Sequence, residues 1–232
     1  MKMKNIIRIS FVILLSAWMA SCGKDNYDPP QSTLSGQIVY NGNPIQVRGT
    51  NEAIQLQLYQ DGWQKRDPIT VFVTQDGSFS AKLFDGEYKM VTRDNNGPWV
   101  NSRDTVILDM KGSKHVELNV TPFFTVSGAG IEYSIAPGNL SLKASLTITQ
   151  VVSGAQLERV YLILSQTQFA DEVNNLVRKD VTGAVPGNVT LSESLTSDDA
   201  DKINNAKTLF GRVGVKTVGT EQAIWTPVVR LK

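Results

Sequence analysis

Val73 to Met90 reads VTQDGSFSAKLFDGEYKM, and two Asp-Gly pairs, Asp76-Gly77 and Asp85-Gly86, cut it into runs of strand length. Asp-Gly supplies the left-handed backbone that a tight reversal needs, so the stretch reads as successive β-strands in a meander. The flanking sequence obeys the same rule. Upstream, AIQLQLYQ (residues 53–60) alternates almost strictly, with Ile54, Leu56 and Leu58 for a core and Gln55 and Gln57 for water. Further upstream, TLSGQIVYNGNPI sets Leu34, Gly36, Ile38 and Tyr40 on one side and turns at Asn41-Gly42-Asn43-Pro44. Downstream, TVILDMKGSKHVELNVTP closes the set with a hairpin over Lys111-Gly112-Ser113.

The second half, from FFTVSGAGIEYSI onward, offers strands at Phe124 to Val126, LSLKASLTITQV, LERVYLILSQT, LFGRVGVKTVG and AIWTPVVRLK. The last two form an expected hairpin carrying Trp225, which suits an immunoglobulin-like or fibronectin-III-like sandwich. In TSDDADKINNAKTLF, Ser197 and Asp198 are placed to cap a short helix whose acids favour its N-terminal dipole. QFADEVNNLVRKD (168–180) is either a second short helix or an irregular excursion. The fold class is therefore all-β, two consecutive β-sandwich domains, with boundaries at 33–122 and 123–232. The strands of the first are complete by Pro122, so that half is expected to fold alone.

The single cysteine, Cys22, stands where an apolar run ends and Gly, Lys, Asp and Asn begin. Lys2, Lys4 and Arg8 precede apolar residues from Ile9 to Ala20, a run too short to span a bilayer and of the form of an export signal. Met19-Ala20-Ser21 resembles the lipobox that precedes a lipid-modified cysteine in bacteria. A lone cysteine has no internal disulfide partner, and a free thiol is a liability in an oxidising compartment. Residues 1–21 are read as a lipoprotein signal peptide, Cys22 as the lipidation site and 22–32 as an acidic tether. Each buried acyl methylene contributes about 0.8 kcal/mol, so two or three chains anchor durably. The expected location is the outer membrane, at the cell surface in preference to the periplasmic face.

Lys plus Arg number 23 and Asp plus Glu 22 in 232 residues, which removes the strong field that nucleic acid or an anionic membrane surface would select. Catalytic material is sparse. His115 is the lone histidine, no G-x-S-x-G elbow occurs, and Asp94, Asp104 and Glu132 carry no motif around them. Asp198, Asp199 and Asp201 lack the glycine and bidentate glutamate of a calcium loop and read as helix capping. No enzyme activity, cofactor or metal is expected.

TRDNNGPWVNSRD (92–104) is too rich in Asn, Gly and Pro for a plain strand and reads as a loop at one end of the first sandwich. Asn95, Asn96, Trp99, Asn101 and Arg103 are candidate glycan or partner contacts, with Trp63 as a second aromatic platform. Trp99 has two readings beside a protein contact: a stacking face for a sugar, or a cover for the open end of the sandwich. Asp104-Thr105-Val106 resembles an acceptor for O-glycosylation at Thr105.

LSGQIVYNGNPI, AIQLQLYQDGW and VTQDGSFSAKLFDGEYKM together resemble the carboxypeptidase regulatory-like, or transthyretin-like, domain, in which Gly42 and Gly77 occupy turns and Phe79 and Tyr88 fill the sandwich. With the opening DNYDPPQSTLSGQIVYNGNPIQVRG and the Gly97-Pro98-Trp99 triplet, the mature chain resembles a family of lipoproteins of unknown function from polysaccharide-utilisation loci. That resemblance implies neighbours of the starch-utilisation type, an outer-membrane transporter and its glycan-binding lipoprotein. It implies a noncatalytic lipoprotein accessory to polysaccharide capture and uptake. A surface carbohydrate-binding protein and a structural or adhesin-like module are the alternatives. Labelling cells with an alkynyl fatty acid should tag the wild-type chain and leave Cys22→Ala unlabelled; equal labelling of both would refute the anchor.

Overall fold

The computed structural model describes residues 28–62 and 66–232, and every element named below lies in one compact unit, Gln31–Lys232. The signal segment, Cys22 and Trp63 fall outside the described residues. The first half contains β1 (Ser32–Tyr40), β2 (Asn43–Pro44), β3 (Gln55–Tyr59), β4 (Ile69–Phe72), β5 (Ser78–Leu83), β6 (Gly86–Thr92), β7 (Val106–Met110) and β8 (Ser113–Asn119). They form two four-stranded sheets. One runs β2-β1-β5 with β8 parallel to β1, and the other runs β4-β3-β6-β7. The alternation of AIQLQLYQ is realised as written, with Leu56 and Leu58 fully buried and the glutamines turned outward. Phe79 and Tyr88 fill the interior, and the Tyr88 hydroxyl reaches the Phe84 carbonyl at 3.0 Å, so the buried phenol keeps a partner.

The second half contains β9 (Phe124–Ala136), β10 (Asn139–Gln150), β11 (Leu157–Ser165), β12 (Val177–Val181), β13 (Gly187–Ser194), α1 (Ser197–Asn205), β14 (Phe210–Thr217), β15 (Ala223–Trp225) and β16 (Val229–Arg230). A sheet β13-β10-β9 is accompanied by β12-β11-β14-β15, with β16 also on β14. Leu142, Leu146 and Ile148 from the first and Val160, Leu162, Val213 and Val215 from the second are buried in a common core. The chain is thus nearly all β, arranged as two sandwiches.

Two local expectations are revised, and of the two alternatives for QFADEVNNLVRKD the irregular one is realised. β9 does not stop at Val126 but runs to Ala136, because an extra residue around Gly128 is absorbed as a bulge opposite Ser145 and Thr147. The helix is capped by Thr196, one residue before Ser197: its hydroxyl accepts from the Asp199 amide at 3.1 Å, while the Asp199 carboxylate accepts from the Thr196 amide at 3.0 Å. In QFADEVNNLVRKD there is no second helix. Residues 166–176 run as an irregular loop, and Val177–Val181 joins the sheet as β12.

That irregular loop ties the two halves together. Asp171, fully buried, accepts from the amides of Val173 and Asn174 at 2.9 and 2.8 Å with one oxygen, and from the Thr50 hydroxyl at 2.6 Å with the other. Next to it, Glu172 pairs with Arg48 at 2.7 Å, and the Gln75 side chain donates to the Gln168 carbonyl at 3.0 Å. From the sheet itself, Arg212 donates to the Thr226 carbonyl at 2.8 Å and to the Gln75 carbonyl at 3.2 Å. The Trp225 amide completes the set with a 3.0 Å bond to the Gln46 carbonyl.

Arg212 is 1 % exposed. Burial pushes its guanidinium down to about 10, against the opposing pull of Asp171 and Glu172, so the side chain is still charged at neutral pH. A buried cation needs its donors engaged, and the two carbonyls, the Gln75 side-chain oxygen at 3.4 Å and the Trp225 face, 5.2 Å from Cζ, engage them. The Trp225 ring also stacks on Tyr161, 5.8 Å away and inclined by 12°. It lies so close over Gly214 that a Cβ there would come within 2.7 Å of the indole. The outer face of the second sandwich is therefore filled by an aromatic pair, and that pair is pinned beneath the junction with the first.

Candidate functional site

The loop after β6 does reverse direction as its composition implied, but it divides its side chains between interior and surface. Asn95 takes the left-handed backbone (φ 56°), and its amide N–H and side chain are both bonded to Asn101, at 2.8 and 2.9 Å. This closes the loop on itself. Asn96 is buried: its Oδ1 accepts from the Gln55 amide at 2.6 Å and its Nδ2 donates to the Ala53 carbonyl at 2.8 Å. It splints the entry to β3, and its burial keeps it from a ligand.

Trp99 is 4 % exposed. It bridges to Pro122, and the Val100 amide bonds the Thr121 carbonyl at 2.9 Å, so the loop is stitched to the segment that leads into β9. Its indole lies on Gly97, where an added Cβ would sit 2.1 Å from the ring. At this exposure the ring serves as a cover for the end of the sandwich, and the part of it that still meets solvent lines a small recess of about 260 Å³ with Asn95, Asn101, Phe123 and Thr220. Arg103, Asn101 and Thr105 remain at the surface.

Among the open recesses of the described residues, two have walls rich in hydrogen-bonding groups beside a tyrosine ring. The first, about 530 Å³, lies over the outward side of β3 and β6 and is walled by Gln57, Tyr59, Arg93, Asp94, Arg103 and Thr105. Its groups already engage each other. The Tyr59 hydroxyl donates to Gln57 at 3.2 Å, Arg93 to Gln55 at 2.6 Å, and Arg103 faces Asp94 at 3.4 Å. The second, about 580 Å³, lies at the junction of the two halves, between the β1–β2 hairpin, the start of β9 and the β15 strand. Tyr40, Asn41, Asn43, Gln46, Thr125 and Ser127 supply its polar wall. Sequence reading missed this recess because its walls come from three segments, 40–46, 125–127 and 224–227, far apart in the chain.

The other candidates are spread over the fold. His115 is exposed on β8 with Nδ1 3.2 Å from the Ser35 hydroxyl, and Glu132 is exposed on β9. Asp198 pairs with Lys202 at 2.6 Å. Burial works against ionisation of Asp199, but the Lys179 ammonium at 2.8 Å and the Thr196 bonds outweigh it and hold this carboxyl below its usual range. Among the described residues, no three His, Cys, Asp or Glu side chains cluster as metal ligands would, and no helix is long and apolar enough to cross a membrane.

Fold and recesses define a two-domain β-sandwich protein with its halves joined by buried polar contacts. The chain belongs to the DUF3823 family: the family model for the N-terminal domain of this protein of unknown function matches residues 32–121, and the companion C-terminal domain of unknown function matches residues 131–230. A crystal structure of a DUF3823 family protein from Parabacteroides merdae is 50% identical, with a TM-score of 0.82 over 88% of this chain and 100% of that one. One from Bacteroides ovatus is 29% identical, with a TM-score of 0.71 over 86% of this chain and 97% of that one. A structure from Bacteroides uniformis described as a "putative carbohydrate binding protein" shares the fold at 19% identity, with a TM-score of 0.69 over 88% and 99% of the two chains. None of the curated proteins matches.

If Trp99 is a cover, Trp99→Ala should lower stability by about 3–5 kcal/mol, the cost of truncating a buried tryptophan. Arg103→Ala, at a fully solvated site, should stay within about 0.5 kcal/mol of wild type. Thermal or urea melts of the two variants decide this; an unchanged Trp99→Ala midpoint would return Trp99 to the surface.

Proposed function

We propose that this chain is a noncatalytic lipoprotein of the outer membrane, tethered through Cys22, that assists polysaccharide capture. The observation that carries the reading is the pair of open recesses on a braced scaffold, lined by tyrosine rings, amides and hydroxyls. Such surfaces suit sugars: a ring face packs on the C–H side of a pyranose, while amides and hydroxyls exchange hydrogen bonds with its hydroxyl groups. A carbohydrate-binding description of one fold relative agrees with it. The segment between Cys22 and β1 is rich in polar residues and proline, the composition of a spacer. The partners in this reading are a starch-utilisation-type transporter and its glycan-binding lipoprotein, and the chain takes part in capture and does not cleave the polymer. Thr105, exposed on the loop before β7, is available for O-glycosylation in the same setting.

Native gels cast with plant and host polysaccharides, run beside affinity purification of the tagged protein from detergent-solubilised outer membranes, test the proposal. Retardation by at least one polysaccharide, or co-purification of an intact transporter complex, is expected. Neither result in any growth condition would reject the role in polysaccharide capture.

A further inference from the structure

We infer that the junction cleft is a saccharide site and that its ligand is a neutral glycan, an inference that rests on the polysaccharide-capture reading. The chemistry of the wall is the starting point. Its side chains are Tyr40, three amides (Asn41, Asn43, Gln46), two hydroxyls (Thr125, Ser127) and an apolar remainder including Pro44, Ile45, Ile224 and Pro227. Among the described residues, no Asp, Glu, Lys, Arg or His lines it. A wall without charge offers nothing to offset the desolvation of a uronate or sulfate, whereas it meets the balanced donors and acceptors of a neutral sugar.

Most of the hydrogen-bonding capacity of these groups is also unspent, Gln46 donating only a long bond to the Asp76 carbonyl at 3.5 Å. Among the described residues, the Tyr40 hydroxyl, the Asn41 side-chain amide and the hydroxyls of Thr125 and Ser127 make no hydrogen bond to protein. The Asn43 amide donates one bond, to the Asn41 carbonyl at 3.1 Å. In the recess over β3 and β6, by contrast, Tyr59 is bonded to Gln57, Arg93 to Gln55, and Arg103 is paired with Asp94. Polar groups of a ligand-free surface that point to no neighbour are the ones a ligand can satisfy at least cost.

Geometry holds these groups in place. Asn41 and Gly42 adopt left-handed backbone (φ 49° and 74°), the two-residue hairpin turn that lets β2 fold back onto β1 with Tyr40 opposite Asn43. The other wall is fixed to the first by the Trp225 amide bond to the Gln46 carbonyl, 3.0 Å. Neither wall has to move toward the other on binding, and this spares the ordering cost that a flexible site incurs.

Titration calorimetry with the folded mature chain tests the inference, using soluble neutral polysaccharides and a pair matched in backbone, fully methyl-esterified pectin and polygalacturonate. The expected result is binding to a neutral polymer, insensitive to salt between low and high ionic strength. Tyr40→Ala should weaken it roughly 5- to 150-fold, the range for one lost stacked ring. The Thr125→Val, Ser127→Ala double variant, which removes hydroxyls and leaves the strand intact, should weaken it too, with an unchanged melting temperature; Arg103→Ala should not. Neutral-polymer binding that all these variants retain would overturn the cleft as the site and leave polysaccharide capture standing. Binding confined to polygalacturonate would overturn the ligand class. No binding to any polymer by the wild type would remove this inference together with direct glycan contact.

Discussion

A guanidinium buried between two β-sandwiches is the constraint on which the rest of this structure turns. Arg212 lies on the outward face of β14, where an isolated sandwich would leave it in water, and it is instead covered by the first half of the chain. Burying a cation without partners costs far more than a domain of this size has in reserve. Its position is tolerable only while Gln75 and Thr226 present their carbonyls and Trp225 its ring. The Gln75 carbonyl belongs to the first half and the Thr226 carbonyl to the second, so both halves must be docked for the charge to be satisfied.

The loop of residues 166–176 strengthens the same junction from the other side. Asp171 uses one oxygen to shape its own loop and the other to hold Thr50, and Glu172 reaches Arg48. Local structure and docking are thus fixed by one carboxylate. A loop that ordered itself independently would dock at little further entropic cost. The cleft between the β1–β2 hairpin and β15 is a by-product of this docking, and its shape is preserved as long as the junction is.

The first sandwich was legible in the sequence because each of its signals is local. Asp76-Gly77, Asp85-Gly86 and Asn41-Gly42 mark turns, and the alternation of AIQLQLYQ places its own core face. Trp99 was legible as a dilemma: its Asn- and Arg-rich neighbours suggested a ligand, while Gly97 two residues before it marked the space its ring would occupy. β12 and β13 carried weaker signals. In both, the inward positions are mostly only half-buried and include charged residues, Lys179 in Val177-Arg178-Lys179-Asp180-Val181 and Glu193 in β13, so the apolar alternation is faint. The junction was not legible at all. Its carboxylates sit in an Asn-rich stretch that resembles any solvated loop, and their partners Arg48, Thr50 and Gln75 lie more than 90 residues earlier. The cleft depends on the same long-range pairing, so its residues gave no motif.

Native-state amide hydrogen exchange at Trp225 measures the junction directly, because that amide bonds the Gln46 carbonyl across it. If the halves form one cooperative unit, the Trp225 amide exchanges with the same opening free energy as Leu162 and Val213, amides in the core strands β11 and β14. Exchange at Trp225 through an opening well below that of Leu162 and Val213 would show that the sandwiches separate while each remains folded, and would contradict the account.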